Sequence, residues 1–385
     1  MRETKILLCV LFICVSSINC RKEYKPAVLT INRNFLVVDG FINTASEGIT
    51  TIFLSRSRLL DSTANVPEPG AVVAIQDENG IRYPAFEQPS TGTYASNLLT
   101  LDPSKKYQIN IQTGDGHSYA SEFTVGKPAP PIDSIFWSVS INPLTSLDQL
   151  DIKVTTHDPA NVTRYYRWTY EETWQNNAHF ETLWGLNGNT IYPATTETNN
   201  YKCWKNAPSY NTILGSSASL TSDLISGLPV AHFEKDDAKF DVRYSILVNQ
   251  YALDLTSYNY WLTIQKNSQT LGSLFAPQPS QVTGNVKSVS DPNETVIGFV
   301  SVGQIQQQRI FIDNSELPGW KSTPFSSCPV REIPANPLDY TPFNYPDTSF
   351  APYFFAAMGS ILNITKKECV DCRRLGGDTN KPSFW

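Results

Sequence analysis

The residues in this chain whose types and spacing first suggest chemistry are its cysteines, its four histidines and its acidic and aromatic clusters. Seven cysteines are present: Cys9 and Cys14 fall inside an apolar leader, Cys20 follows it, and Cys203, Cys328, Cys369 and Cys372 remain. Four cysteines in an exported chain read as up to two disulfides, with all pairings open. The spacing Cys369-Val-Asp-Cys372 would also suit a redox motif or half of a zinc site. A redox pair should open a helix after a strand, and zinc wants a second close ligand pair. Neither context surrounds these residues, so the expected role is structural, with no metal and no cofactor.

The four histidines, His117, His157, His179 and His232, lie far apart, and none sits in an H-E-x-x-H spacing. A G-x-S-x-G elbow and a glycine-rich phosphate loop are both missing from the sequence. Glu171-Glu172 beside Trp168 and Trp174 resembles the lining of a sugar-cleaving site, where two acids face each other across a bond. Neighbours on a strand point to opposite faces, so these two cannot form that pair. The expectation is one acid at the surface and one paired with Arg164 or Arg167, and no catalytic residue is assigned. The aromatic run from Tyr165 to Trp184 supplies rigid amphipathic rings suited to ligand clefts. Strand alternation would bury about half of them, so the cluster reads either as plain core or as a binding surface, for which Trp168, Tyr170, Trp174 and Trp184 are the candidates.

The elements that must position these groups begin after an address. Residues 1–19 carry a short charged start (Arg2, Lys5), an apolar run from Ile6 to Val15, and small or polar residues up to Cys20, the layout of a secretory signal. The apolar run is well short of the ~20 residues that span a bilayer core. Cys20 stands where a lipoprotein signal peptidase cuts, although Ser17-Ile18-Asn19 departs from the usual Leu-Ala-Gly lipobox. Several acyl chains at ~0.8 kcal/mol per buried methylene would anchor the protein to a membrane permanently, with residues 20–27 as a polar tether. The net charge of −6 becomes one unit more acidic when Arg2, Glu3 and Lys5 leave with the signal. An acidic chain without a Lys/Arg cluster is repelled by a phosphate backbone, so nucleic acid is excluded as a partner.

Composition favours strands: the chain is rich in aromatic and β-branched residues and poor in Met. Phe35 to Phe41, Thr50 to Leu54, Ala71 to Gln76, Arg82 to Phe86, Tyr107 to Gln112 and Tyr119 to Val125 are β-rich runs between turn signals such as Asn79-Gly80 and Asp115-Gly116. Their density predicts an N-terminal immunoglobulin-like β-sandwich over 28–127. Gly92-Thr93-Tyr94, Leu101 and Tyr107-Gln-Ile-Asn-Ile also resemble immunoglobulin-like and carboxypeptidase-regulatory-like modules, which are scaffolds without chemistry of their own. The prolines of 128–131 predict a stiff linker. A larger β-rich domain over 132–385 follows, with strands around 134–140, 150–156, 164–174, 241–253, 282–289, 296–302 and 309–312. It carries one prominent helix over 254–271, capped by Asp254 or Thr256 and stopped by Gly272, and a disulfide-clipped tail. The fold class is mainly β. Asp61-Ser62-Thr63 and Asp133-Ser134-Ile135 match a short O-glycosylation sequon.

Several segments in fixed order carry a wider resemblance. They are Arg164-Tyr-Tyr-Arg-Trp-Thr-Tyr-Glu-Glu-Thr-Trp174, Tyr201-Lys-Cys-Trp204, Arg243-Tyr-Ser-Ile-Leu-Val-Asn-Gln-Tyr251, Leu271 to Gln281, Gly284-Asn285, and Cys369-Val-Asp-Cys372 with Gly376-Gly377 and Lys381-Pro-Ser-Phe-Trp385. Together they resemble the Bacteroidota envelope family known as domain of unknown function 4249. That resemblance implies an outer-membrane lipoprotein of the kind often encoded beside TonB-dependent receptors. The implied role is an accessory subunit of such a β-barrel receptor in substrate capture or gating. The alternative is a structural or adhesive surface protein without a transporter partner. The family offers no catalytic or ligand residues to carry over.

Overall fold

Short runs in which every second residue is apolar dominate the chain, and each becomes a strand with one face on a core. The computed structural model describes residues 34–58, 66–89, 91–187, 190–193, 195, 200–209, 211–269, 282, 284–322, 328–334, 350–356 and 361–385. The leader, Cys20, the tether, Asp61-Ser62-Thr63 and Gly272 lie outside these residues. The first strands are β1 (Leu36–Asn43), β2 (Thr51–Arg56), β3 (Val66–Pro67), β4 (Val72–Asp77), β5 (Arg82–Gln88), β6 (Thr93–Ser96), β7 (Lys106–Gln112), β8 (Ser118–Ser121) and β9 (Thr124–Val125). Next come β10 (Ile132–Ile141), β11 (Asp148–Asp158), β12 (Tyr165–Asn177), β13 (Trp184–Asn187), β14 (Thr190–Pro193), β15 (Lys202–Pro208), β16 (Ile213–Ser216), β17 (Asp223–Glu234), β18 (Arg243–Leu253) and the helix α1 (Leu255–Gln269). The last are β19 (Val286–Ser288), β20 (Ile297–Gly303), β21 (Ile305–Asp313), β22 (Arg331–Pro334), β23 (Phe350–Ala356) and β24 (Ile361–Lys366).

The N-terminal strands form one continuous sheet in the order β19-β8-β7-β4-β5-β6-β2-β1-β20, curled into a nearly closed, barrel-like shape. Its interior is filled by one face of each strand, including Leu36, Val38, Ile52, Ile75, Tyr94 and Ile109. The tyrosines place rings in this core and hydroxyls at its edge, where Tyr94 donates to Glu68 O at 2.8 Å and Tyr119 to Glu294 Oε1 at 2.7 Å. A two-sheet sandwich was expected here. A single sheet forms instead because two strands from beyond residue 285 complete it: β20 pairs in parallel with β1, and β19 in antiparallel with β8.

The seam between those late strands is closed by a side chain. Asn285 donates through Nδ2 to Val300 O and accepts at Oδ1 from Val300 N, both at 2.9 Å, so its amide replaces a missing backbone neighbour. The chains approach so closely that a Cβ on Gly284 would lie 1.7 Å from Gly298 O, and one on Gly298 1.9 Å from Val38 O. Only glycine fits either place.

The next strands make a two-sheet sandwich. β10-β11-β17 faces β15-β12-β18-β21, with β16 also paired to β12. Leu150, Ile152, Val154 and Phe233 from the first sheet meet Tyr166, Trp168, Tyr244, Ile246, Val248 and Ile312 from the second. Alternation alone does not announce β17, since Gly227 and Pro229 interrupt it, and the β11–β17 register shifts between Ile152 and Lys153 and again between Val154 and Thr156. Ile135 of the second sequon is buried in this core.

The expected proline linker is a pinned connector. Its three prolines lack an N–H, so apart from the Ala129 N–H, which donates to Gln304 Oε1 at 3.4 Å, only carbonyls need partners there, and polar side chains supply them. Thr163 Oγ1 donates to Pro128 O at 2.9 Å, Gln306 Nε2 to Ala129 O at 3.2 Å, Gln250 Nε2 to Pro130 O at 2.8 Å and Thr156 Oγ1 to Pro131 O at 3.0 Å. Gln250 also accepts from the buried Trp168 Nε1 at 3.0 Å, tying the connector to the sandwich core.

The helix matches its expected position. Asp254 caps it, accepting from Ser257 N at 2.6 Å, and Trp261 is buried against Phe41 and Leu253. It therefore packs where the barrel-like sheet meets the sandwich. The disulfides join Cys203 to Cys372 and Cys328 to Cys369, so the C-x-x-C pair is divided between two bridges. The first holds the tail on β15, the second ties it to the residues before β22, and the terminal Trp385 packs edge-on against Trp204 and Phe311. Among the described residues no helix is long and apolar enough to cross a membrane.

Two outcomes check this account. Non-reducing peptide mapping should recover only those two linkages, and replacing Cys203 and Cys372 together with Ala should lower stability by about 2–5 kcal/mol in chemical denaturation. Asn285→Ala should lower it by about 1–3 kcal/mol, because both polar groups of Val300 lose their buried partner.

Candidate functional site

The side-chain alternation of β12 sends successive residues to two different places. Tyr166, Trp168, Tyr170, Glu172 and Trp174 face the sandwich interior, whereas Arg167, Thr169 and Glu171 face the other way. The register aligns Arg167 with Tyr251 and Thr169 with Asn249 on β18, and Asn249 with Gln307 on β21. These residues form a polar floor. Gln307 Nε2 donates to Asn249 Oδ1 at 2.6 Å, Asn249 Nδ2 to Thr169 Oγ1 at 3.2 Å, and the Thr169 hydroxyl meets Tyr251 OH at 3.3 Å.

The opposite wall comes from the outside of the barrel-like sheet. Leu36, Val38 and Ile42 of β1 point inward, which turns Asp39 and Phe41 outward, with Thr51 and Phe53 beside them on β2. Between floor and wall lies a cleft of about 630 Å³, also lined by residues 45–49 of the β1–β2 turn. Phe41 packs edge-on against Tyr251 at 4.9 Å, and exposed Glu47 and Glu171 stand among the lining residues.

Arg167 is the group that most needs explaining. Its guanidinium lies 3.5 Å from the Trp261 ring centre and 5.4 Å from that of Tyr251, so aromatic faces fix it in position. Its Nε is closed off from solvent and has no hydrogen-bond partner among the described residues. Asp39 faces it from the wall. The two charges act on each other through space, but no direct ion pair joins them. Burial pushes the Asp39 carboxyl above the usual carboxylate range, against the lowering influence of Arg167 and the Gly40 N–H. Burial likewise lowers Arg167, which Asp39 partly offsets. Tyr260 on α1 is pushed up to about 12, mainly by burial and then by the Asp39 charge.

The residues singled out from sequence are dispersed. Trp168 is fully buried, Tyr170 packs partly buried against the same core, and Trp174 stacks near Lys239 Nζ at 5.2 Å. Trp184 opens the separate β13–β14 hairpin. The four do not form one exposed surface: Trp168, Tyr170 and Trp174 share the inner face of β12, which packs on the sandwich core, and Trp184 lies on β13. Trp174 instead borders a second cavity of about 820 Å³ beside the Cys203–Cys372 bridge, with His179 and Lys205 on its wall. Glu171 and Glu172 part as expected, but the buried Glu172 pairs with Lys239 Nζ at 2.9 Å and Tyr244 OH at 2.9 Å, not with an arginine.

His117, His157 and His232 each meet a separate carboxylate, Glu294, Asp133 and Asp151. Among the described residues no group of three His, Cys, Asp or Glu is placed to hold a metal ion. Sequence reasoning missed Asp39 and gave Arg167 only a pairing role. The available signal was a charge at an alternate position within two otherwise apolar or aromatic strands.

A carboxyl raised by burial makes folding more favourable as pH falls, since the folded state binds the proton more tightly. The benefit grows as pH drops through the folded value and levels off below the unfolded one, near 4. Asp39→Asn removes the titrating carboxyl, so it should flatten the acid-side dependence of stability, read by thermal melts across pH.

No curated protein matches the chain. A family described as Domain of unknown function (DUF4249) matches residues 21–309, which include both walls of the cleft, the helix and the seam. This mainly β, doubly cross-linked chain therefore belongs to the DUF4249 family.

Proposed function

We propose that this protein is an exported lipoprotein, anchored through Cys20, that serves as an accessory subunit of a TonB-dependent outer-membrane β-barrel receptor. In this role it holds a small ligand in the cleft between its barrel-like sheet and its sandwich before the ligand passes to the receptor. The observation that carries the reading is the fixed, unpartnered Arg167 facing Asp39 across a cavity of ligand size. Charged groups kept desolvated at the expense of stability are characteristic of functional sites. Export is supported by the secretory-type leader and by two disulfides, which persist in oxidising compartments. The acidic balance disfavours nucleic acid as a partner.

A mild-detergent pull-down of the tagged, full-length protein from native outer membranes tests the proposal. A TonB-dependent receptor should accompany it in near-equal amount and be lost with Cys20→Ala or when the receptor gene is deleted. Recovery of the lipidated protein alone would overturn the accessory role and favour a structural or adhesive one.

A further inference from the structure

We propose that the cleft binds an amphoteric small ligand, an amino acid or short peptide, with its carboxylate on Arg167 and its ammonium on Asp39. This inference rests on the reading of the protein as a capturing subunit and specifies what is captured. Two opposite charges line one cavity, interact through space and yet do not touch. A ligand carrying one charge of each sign compensates both at once. A simple anion or cation would leave Asp39 or Arg167 uncompensated, and a neutral sugar would offer only hydroxyl dipoles to two desolvated charges.

Geometry supports the same assignment. Trp261 and Tyr251 hold the guanidinium in place, so little side-chain freedom is lost when its fork takes a carboxylate. Arg167 is itself among the residues that line the cleft. On the floor of the cleft, the Gln307–Asn249 amide pair offers hydrogen bonds suited to a peptide group, and Phe41 and Tyr251 offer an apolar surface for a side chain. A volume of about 630 Å³ accommodates a ligand of two or three residues. Glu47 and Glu171 would draw the ammonium end toward the cleft.

The test is a thermal-shift and calorimetric screen of the full-length protein with the common amino acids, glycylglycine and trialanine as probes. Each is compared with its N-acetylated and C-amidated form, and glucose and maltose are run beside them. At least one unblocked probe should raise the melting temperature, and blocking either end should weaken its binding by about tenfold or more. Arg167→Gln should abolish the penalty for amidation. Asp39→Asn, which keeps the side chain's size, should abolish the penalty for acetylation. A screen in which no unblocked probe shifts the melt, or in which blocking changes nothing, overturns the proposal. Binding of glucose or maltose that Asp39→Asn removes would also overturn it, while leaving the capture role intact.

Discussion

The strand pair β12–β18 has to satisfy two neighbours at once, and the rest of the structure is arranged around that constraint. One face carries Tyr166, Trp168, Tyr244 and Ile246 into the sandwich core. The other carries Arg167, Thr169, Asn249 and Tyr251 toward β1 and α1. A half-solvated antiparallel strand would show apolar and polar residues in strict alternation. This pair is aromatic or amphipathic on both faces because neither face is free. The long side chains of Trp168 and Gln250 then do double service: the indole fills the core, and the amide it contacts pins the proline connector.

That arrangement explains why the barrel-like sheet and the sandwich meet in a defined way. The carbonyls of 128–131 accept hydrogen bonds from β11, β18, β21 and the residues before β12, while Trp261 of α1 packs against both Phe41 and Leu253. The chain also returns to the first sheet through β19 and β20 after building most of the sandwich. With the two parts joined by a connector, a helix and two returning strands, the space between them becomes a rigid cleft. A site on rigid elements holds its charged groups in place without their having to be in contact.

Much of this was legible in the sequence, and the failures have physical causes. The short β-rich runs, the single helix with Asp254 as its cap, and the structural use of the four cysteines all follow from local pattern. The closure of the first sheet does not, because it depends on a parallel pairing between β1 and β20 and on one asparagine side chain standing in for a strand. Long-range pairing leaves no local trace beyond two glycines at 284 and 298. The candidate site was missed for a related reason. The aromatic residues drew attention on β12, yet most of those named belong to its core face, and the charge that matters occupies the intervening position. Arg167 gains its meaning only from Trp261 and Asp39, which the sequence places far away on α1 and β1.

The central claim is that the Arg167 cleft is the working surface of the molecule and the two β layers are its support. Hydrogen–deuterium exchange of the purified full-length protein, with and without the unblocked probe that raises its melting temperature, tests it most directly. The account predicts slowed exchange concentrated in residues 39–53, 167–171, 249–251 and 305–307, with the outer faces of both layers unchanged. Protection confined instead to the β10–β11 hairpin or the tail around the disulfides, with the cleft strands exchanging alike in both samples, would contradict it.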